Sequence, residues 1–238
     1  LCFQNKTIWF CTASNLSALN FASVQESTKI KALVVPKDEH EHFLSVIDNK
    51  INVWRLSNGN AQKHHPPLEI EQCQYIHALC PLQSNNLVLA NVLSSDYNSS
   101  SYIVVDWKNR QLLTEIKCSS LSLLQNIVMS PSEDKILTIA LESCDLSINL
   151  LSTIRFLKWE DASKTKLNME DKFLPLETVN KAPITIVDSQ QGTLFLLNDN
   201  ENEAWYADFN DFEKIHEMPN LRVNLEGITI CKFVTNSV

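Results

Sequence analysis

Residues able to do chemistry are thinly spread in this sequence. Two histidine groups stand out, His40 and His42 inside Glu39-His-Glu-His42, and His64-His65 followed by Pro66-Pro67. Alternate residues of an extended segment face the same way, so His40 and His42 could share a metal ion only if the backbone ran straight there. A zinc site also needs further ligands at suitable spacing, and the His-His-Pro-Pro run supplies none. Both groups are expected to be solvated polar turns. The cysteines Cys2, Cys11, Cys73, Cys80, Cys118, Cys144 and Cys231 include no CxxC pair. Most sit in apolar runs, where a thiol behaves as a small hydrophobe, and the odd count points to a reducing compartment. The glycines are only Gly59, Gly192 and Gly227, too few for a P-loop, a dinucleotide fingerprint or a nucleophile elbow. These absences predict no catalytic group, no metal and no cofactor, and the chain reads as not an enzyme.

Charge narrows the partners. The formal net charge is −8 and the pI about 5.2, which disfavours a broad grip on a nucleic-acid backbone and leaves protein subunits as the expected partners. Hydrophobic residues make up 44% of the chain and charged residues 20%, enough to bury a core. The longest uncharged apolar runs, such as Ile136 to Leu141, have the length of a strand and fall well short of the ~20 residues of a membrane helix. No membrane span is expected.

The positioning elements repeat. Trp9, Trp54, Trp107, Trp159 and Trp205 lie 45, 53, 52 and 46 residues apart, a period in the range of propeller blades. Phe43 to Leu56 reads as a β-hairpin around Asp48-Asn49-Lys50, with Trp54 on its second strand. Leu1 to Phe10 can be laid over Ser45 to Trp54, with Asn-Lys in both turns. The chain therefore reads as starting in a second strand. Ala32 to Pro36, Ala78 to Pro81 and Ile127 to Pro131 each close an apolar run on Pro, which lacks the N–H a continuing central strand needs. A polar turn and a second apolar run follow each, at Phe43, Leu87 and Ile136.

Met129 to Leu137 resembles the turn between the first two strands of WD-repeat blades, and Ile51-Asn-Val-Trp54-Arg-Leu56 resembles their third strand. The sequence departs from that family where Gly-His would open a blade, and where Asp would follow Trp it has Arg55 and Lys108. The predicted fold class is all-β, a β-propeller of four-stranded antiparallel blades. About five blades are represented in one domain over 1–238, with blades near 1–24 plus 228–234, 30–62, 75–118, 125–170 and 183–218. They form either a closed five-blade ring, completed by Gly227 to Val234, or part of a propeller of six to eight blades. The Trp period assigns these rings to packing between sheets.

The resemblance implies a non-catalytic interaction scaffold, a structural subunit of a multiprotein assembly. It is similar in style to nucleolar ribosome-assembly subunits, which implies an intracellular, nuclear or nucleolar location. The alternative is an enzyme or a peptide-ligand receptor with its site at the channel mouth. Partner contacts are expected on the loops joining second to third strands: Asp48, Asn49 and Lys50; Asp96 and Tyr97 within Ser94 to Ser101; and Asp199, Glu201 and Glu203, whose clustered carboxylates would steer a basic segment.

Overall fold

In the computed structural model, the residues described are 2–15, 18–26, 28–36, 41–57, 60–70, 75–82, 86–129, 135–143, 150–161, 163–179, 184–188, 193–198, 203–208 and 211–217. All their regular structure is β, and among them there is no helix. The chain divides into two compact units, Leu1–Leu123 with Glu160–Leu167, and Leu124–Trp159 with Asn168–Val238.

The first unit holds three antiparallel sheets. β1 (Cys2–Gln4), β2 (Thr7–Asn15) and β3 (Ala18–Gln25) pair in chain order. β4 (Ile30–Val34), β5 (His42–Ile47), β6 (Lys50–Ser57) and β7 (Asn60–Lys63) form the second sheet, and β8 (Leu68–Glu69) also pairs with β6. β9 (Tyr75–Pro81), β10 (Leu87–Leu93), β11 (Ser100–Asp106) and β12 (Gln111–Lys117) form the third.

The second unit holds two four-stranded sheets in sequential order. One comprises β13 (Ser122–Met129), β14 (Lys135–Ser143), β15 (Leu150–Trp159) and β16 (Leu167–Val179). The other comprises β17 (Ile184–Asp188), β18 (Thr193–Asn198), β19 (Glu203–Asp208) and β20 (Asp211–Glu217). Each is an up-and-down four-stranded sheet of the kind stacked radially in propellers.

Hairpin chemistry sets the register. Asp48 and Asn49 both have positive φ, 51° and 57°, and Ile47 pairs with Lys50. This is a two-residue hairpin turn whose twist matches that of the strands, and Asp and Asn tolerate the left-handed region better than most residues. The turn is therefore one residue shorter than expected, since Lys50 already belongs to β6.

The second sheet is apolar on both faces because it is covered on both. Leu44, Val46, Ile51 and Val53 pack with Val88, Ala90, Ile103 and Val105 of the third sheet. Ile8 of the first sheet joins Ile30, Phe43, Ile47 and Trp54 on the other side. Five of the six residues of β5 are buried, so the strand reads as a continuous apolar run rather than an alternation.

The tryptophans occupy unequal places despite their even spacing. Trp54 lies within β6, whereas Trp107 is in the turn after β11 and Trp159 is the last residue of β15. All three are buried. β15 runs unbroken from Leu150, which places Trp159 on the third strand of its sheet. Trp9 and Trp205 lie in β2 and β19. The turn over 130–134 and the expected strand Gly227 to Val234 lie outside the described residues.

Candidate functional site

One cluster joins the turns of the second and third sheets. It begins at a β-bulge, where the pairing of β4 with β5 shifts between Ile30 and Ala32. The bulge makes Lys31 the extra residue, and such irregularities re-aim a side chain out of the pleat. The Lys31 Nζ donates to Asn49 Oδ1 at 2.6 Å and stands 3.9 Å from the centroid of the Tyr75 ring. That distance suits a cation–π contact. The Tyr75 ring in turn faces Tyr97, centroids 6.3 Å apart and tilted by 59°. At the other end, Thr28 Oγ1 donates to Asp48 Oδ2 at 3.0 Å. The result is a continuous ledge running from Asp48 and Asn49 through Lys31 and Tyr75 to Tyr97.

The far end of the ledge is a rigid loop. Ser94–Ser99 closes on itself through the Ser94 N–H to the Ser99 carbonyl, 3.0 Å, and the Tyr97 N–H to the Ser94 carbonyl, 3.1 Å. Asp96 accepts from Ser94 Oγ at 2.6 Å and from the Asn98 N–H and Nδ2 at 3.1 and 3.2 Å. Tyr97 has φ 58°, an unusual conformation for an aromatic residue and costly unless its surroundings enforce it. Tyr97 is nonetheless 53% exposed. The loop is shorter than expected, because Ser100 and Ser101 are taken up by β11.

The Ser94 hydroxyl, followed by the Asn98 backbone N–H, holds the Asp96 carboxyl below the usual carboxylate range. A depressed folded-state pKa contributes order that is present above the unfolded value of about 3.9 and lost as pH falls through the lower folded value. The loop is therefore expected to keep its order from pH 8 to pH 5 and to loosen only in the acid range below about 4. Exchange of the Asn98 amide against pH reads this directly, and Asp96→Asn should loosen the loop at neutral pH.

The sequence-predicted residues divide clearly. Asp48, Asn49 and Tyr97 lie on the ledge, and Asp96 supports it from inside its loop. Lys50 instead pairs with Glu69 at 2.6 Å on β8, a surface pair worth about 0–1 kcal/mol. Glu203 starts β19, and Asp199 and Glu201 lie outside the described residues. Sequence reasoning missed Thr28, Lys31 and Tyr75. Lys31 and Tyr75 sit at or next to the start of the inner strands β4 and β9, just ahead of the apolar runs, and a Lys at the head of such a run was a usable signal.

His64 and His65 are exposed outside the strands, as expected, whereas His42 is the first residue of β5 rather than part of a turn. His42 lies 5.2 Å from His64 and 5.6 Å from Trp107, and His64 lies 4.1 Å from His65, all between ring centroids. Arg110 donates to the Pro66 and Pro67 carbonyls at 2.8 and 3.4 Å and ties this segment to the turn after β11. Loss of water around the ring, then the neighbouring His65, His42 and Arg55, hold the His64 pKa below its ordinary value. Among the described residues, no group of three or more His, Cys, Asp and Glu is placed to hold a metal ion. His40 lies outside them.

No protein-family model matches the sequence, and no curated protein matches it either. Solved structures do share its fold. A chain of Kuenenia stuttgartiensis hydrazine synthase superposes with a TM-score of 0.58 at 11% identity, over 86% of this chain and 62% of that one. A luciferin-regenerating enzyme gives 0.53 at 10% identity, over 84% and 66%. The WD40 domain of Toxoplasma gondii coronin gives 0.50 at 7% identity, over 90% and 65%. The chain thus spans somewhat under two thirds of each of these.

At such identities the likeness concerns fold alone, and it supports an all-β, propeller-like architecture of four-stranded antiparallel sheets. It also corrects one expectation. The chain was read as not an enzyme for want of motifs, yet two of these structures of the same fold are enzymes. The architecture therefore gives no argument against catalysis, and motif scarcity does not either, since a site on such a frame is assembled from distant loops.

Proposed function

We propose that this chain is a protein-docking scaffold, a structural subunit of a multiprotein assembly. Its docking surface is the ledge from Asp48 and Asn49 to Tyr97. The observation that carries this reading is Tyr97, an aromatic residue more than half exposed on a loop whose backbone is pinned in a costly conformation. Rigid, exposed Tyr supplies contact area at little entropic loss and is enriched at binding hot spots. The carboxylate of Asp48 at the other end of the ledge and the net charge of −8 favour a basic segment on the partner. An intracellular, nucleolar setting follows only from the resemblance in repeat style, and the fold comparison adds nothing to it.

The test is capture of partners from native extract on the immobilised parent chain and on Tyr97→Ala. An exposed substitution should change the stability by no more than about 0.5 kcal/mol. Partner affinity is expected to fall by about tenfold or more, as for a hot-spot truncation. An unchanged, stoichiometric partner set on the variant would remove the ledge as the docking surface.

A further inference from the structure

Strand β12 ends the order of its sheet, beyond β11. Along an antiparallel ladder, residues alternate between those whose N–H and C=O face the neighbouring strand and those whose groups face away. Ser101 pairs with Lys117, Tyr102 with Ile116 and Ile103 with Glu115, while the Cys118 N–H donates to the Ser100 carbonyl at 2.8 Å. Counting back from Cys118, Ile116 turns its backbone groups to β11, and Glu115 and Lys117 turn theirs outward.

Both side chains are exposed and, being two residues apart, share one face of the strand. The Ser101 hydroxyl donates to Glu115 Oε1 at 2.9 Å and fixes that carboxylate in place. Among the described residues no strand pairs with the outer side of β12, and Leu112 is 44% exposed. An edge strand of this length with an exposed leucine is a template for another strand.

We propose that β12 pairs with β12 of a second copy of this chain, antiparallel about a two-fold axis through Ile116. The charge pattern selects both the occupant and the register. An axis through Glu115 would set that carboxylate against its own copy, and an axis through Lys117 would oppose two ammonium groups. With the axis at Ile116, Glu115 of each copy lies opposite Lys117 of the other, giving two cross-strand ion pairs. The same register makes these the hydrogen-bonded positions of the new ladder, which matches the outward direction of their backbone groups. The contact is isologous and closed, so it yields a dimer rather than a fibre. It is independent of the docking ledge and goes beyond the scaffold reading.

Light scattering of the purified full chain over a concentration series tests it. The parent is expected to be a reversible dimer. Glu115→Lys or Lys117→Glu turns both ion pairs into like-charge pairs and should weaken the dimer about tenfold or more. The double variant E115K/K117E exchanges the charges and should restore it. If a charge-reversed chain folds poorly by circular dichroism, Glu115→Gln and Lys117→Gln, which remove the charge without reversing it, should each weaken the dimer to a lesser degree. A parent that stays monomeric throughout, its edge then being bare or reserved for a foreign strand, overturns the proposal. So does a dimer indifferent to the single charge reversals, or one that the double variant fails to rescue.

Discussion

Replacing Trp54 by Ala is expected to destabilise the first unit by about 3–5 kcal/mol, the range for removing a large buried aromatic side chain. The ring is 2% exposed and lies parallel to Phe43, centroids 5.6 Å apart and planes 3° apart. Its Nε1–H donates to Ser45 Oγ at 2.8 Å across the β5–β6 pair. Ser45 is itself fully buried, so loss of the indole also strands a hydroxyl. Trp54→Phe keeps one aromatic ring beside Phe43 but loses the donor and some packing volume, at an intermediate cost of about 1–3 kcal/mol. In thermal melts of a chain this size each kcal/mol lowers the midpoint by roughly 2–4 °C, so Trp54→Ala should fall by roughly 10 °C. A melt unchanged by Trp54→Ala would mean that this tryptophan does not join the sheets.

Glu142→Ala is expected to do comparable damage in the second unit. Arg155 donates from Nε and Nη2 to the two carboxylate oxygens of Glu142, both at 2.6 Å, with side-chain exposures of 17% and 6%. Burying such a pair gains little over apolar packing, yet removing Glu142 takes both of these hydrogen bonds from a part-buried guanidinium and costs up to about 3–5 kcal/mol. Pairing Glu142→Leu with Arg155→Leu should therefore recover much of the stability lost by Glu142→Ala. The comparison by urea titration is decisive, since a double variant no better than Glu142→Ala would show that the charges were not coupled.

The sheets were legible in the sequence because three local signals agreed. Asp48-Asn49 demanded a tight hairpin, the prolines after Leu79-Cys80 and Val34-Val35 marked where inner strands stop, and the apolar runs between them had strand length. The tryptophan period was a coarser guide. Trp54, Trp107 and Trp159 all end up buried, but at different points along or just past a third strand, because insertions shift position within a repeat without exposing the ring. Partnerships between sheets were the illegible part. Nothing local ties Lys31 to Tyr75 or Tyr75 to Tyr97, and the bulge that turns Lys31 toward Asn49 is a property of pairing, not of composition. The Arg155–Glu142 pair was hidden for the same reason, since both residues read as isolated polar interruptions of apolar strands.

Hydrogen exchange of the parent chain, with and without a partner recovered from native extract, tests the docking surface most directly. The account predicts new protection over 28–31, 48–49, 75–76 and 94–99, the segments of the ledge, and little change in β13 to β15. Protection confined to other segments, with the loop Ser94–Ser99 exchanging as fast in the complex as in the isolated chain, would contradict it.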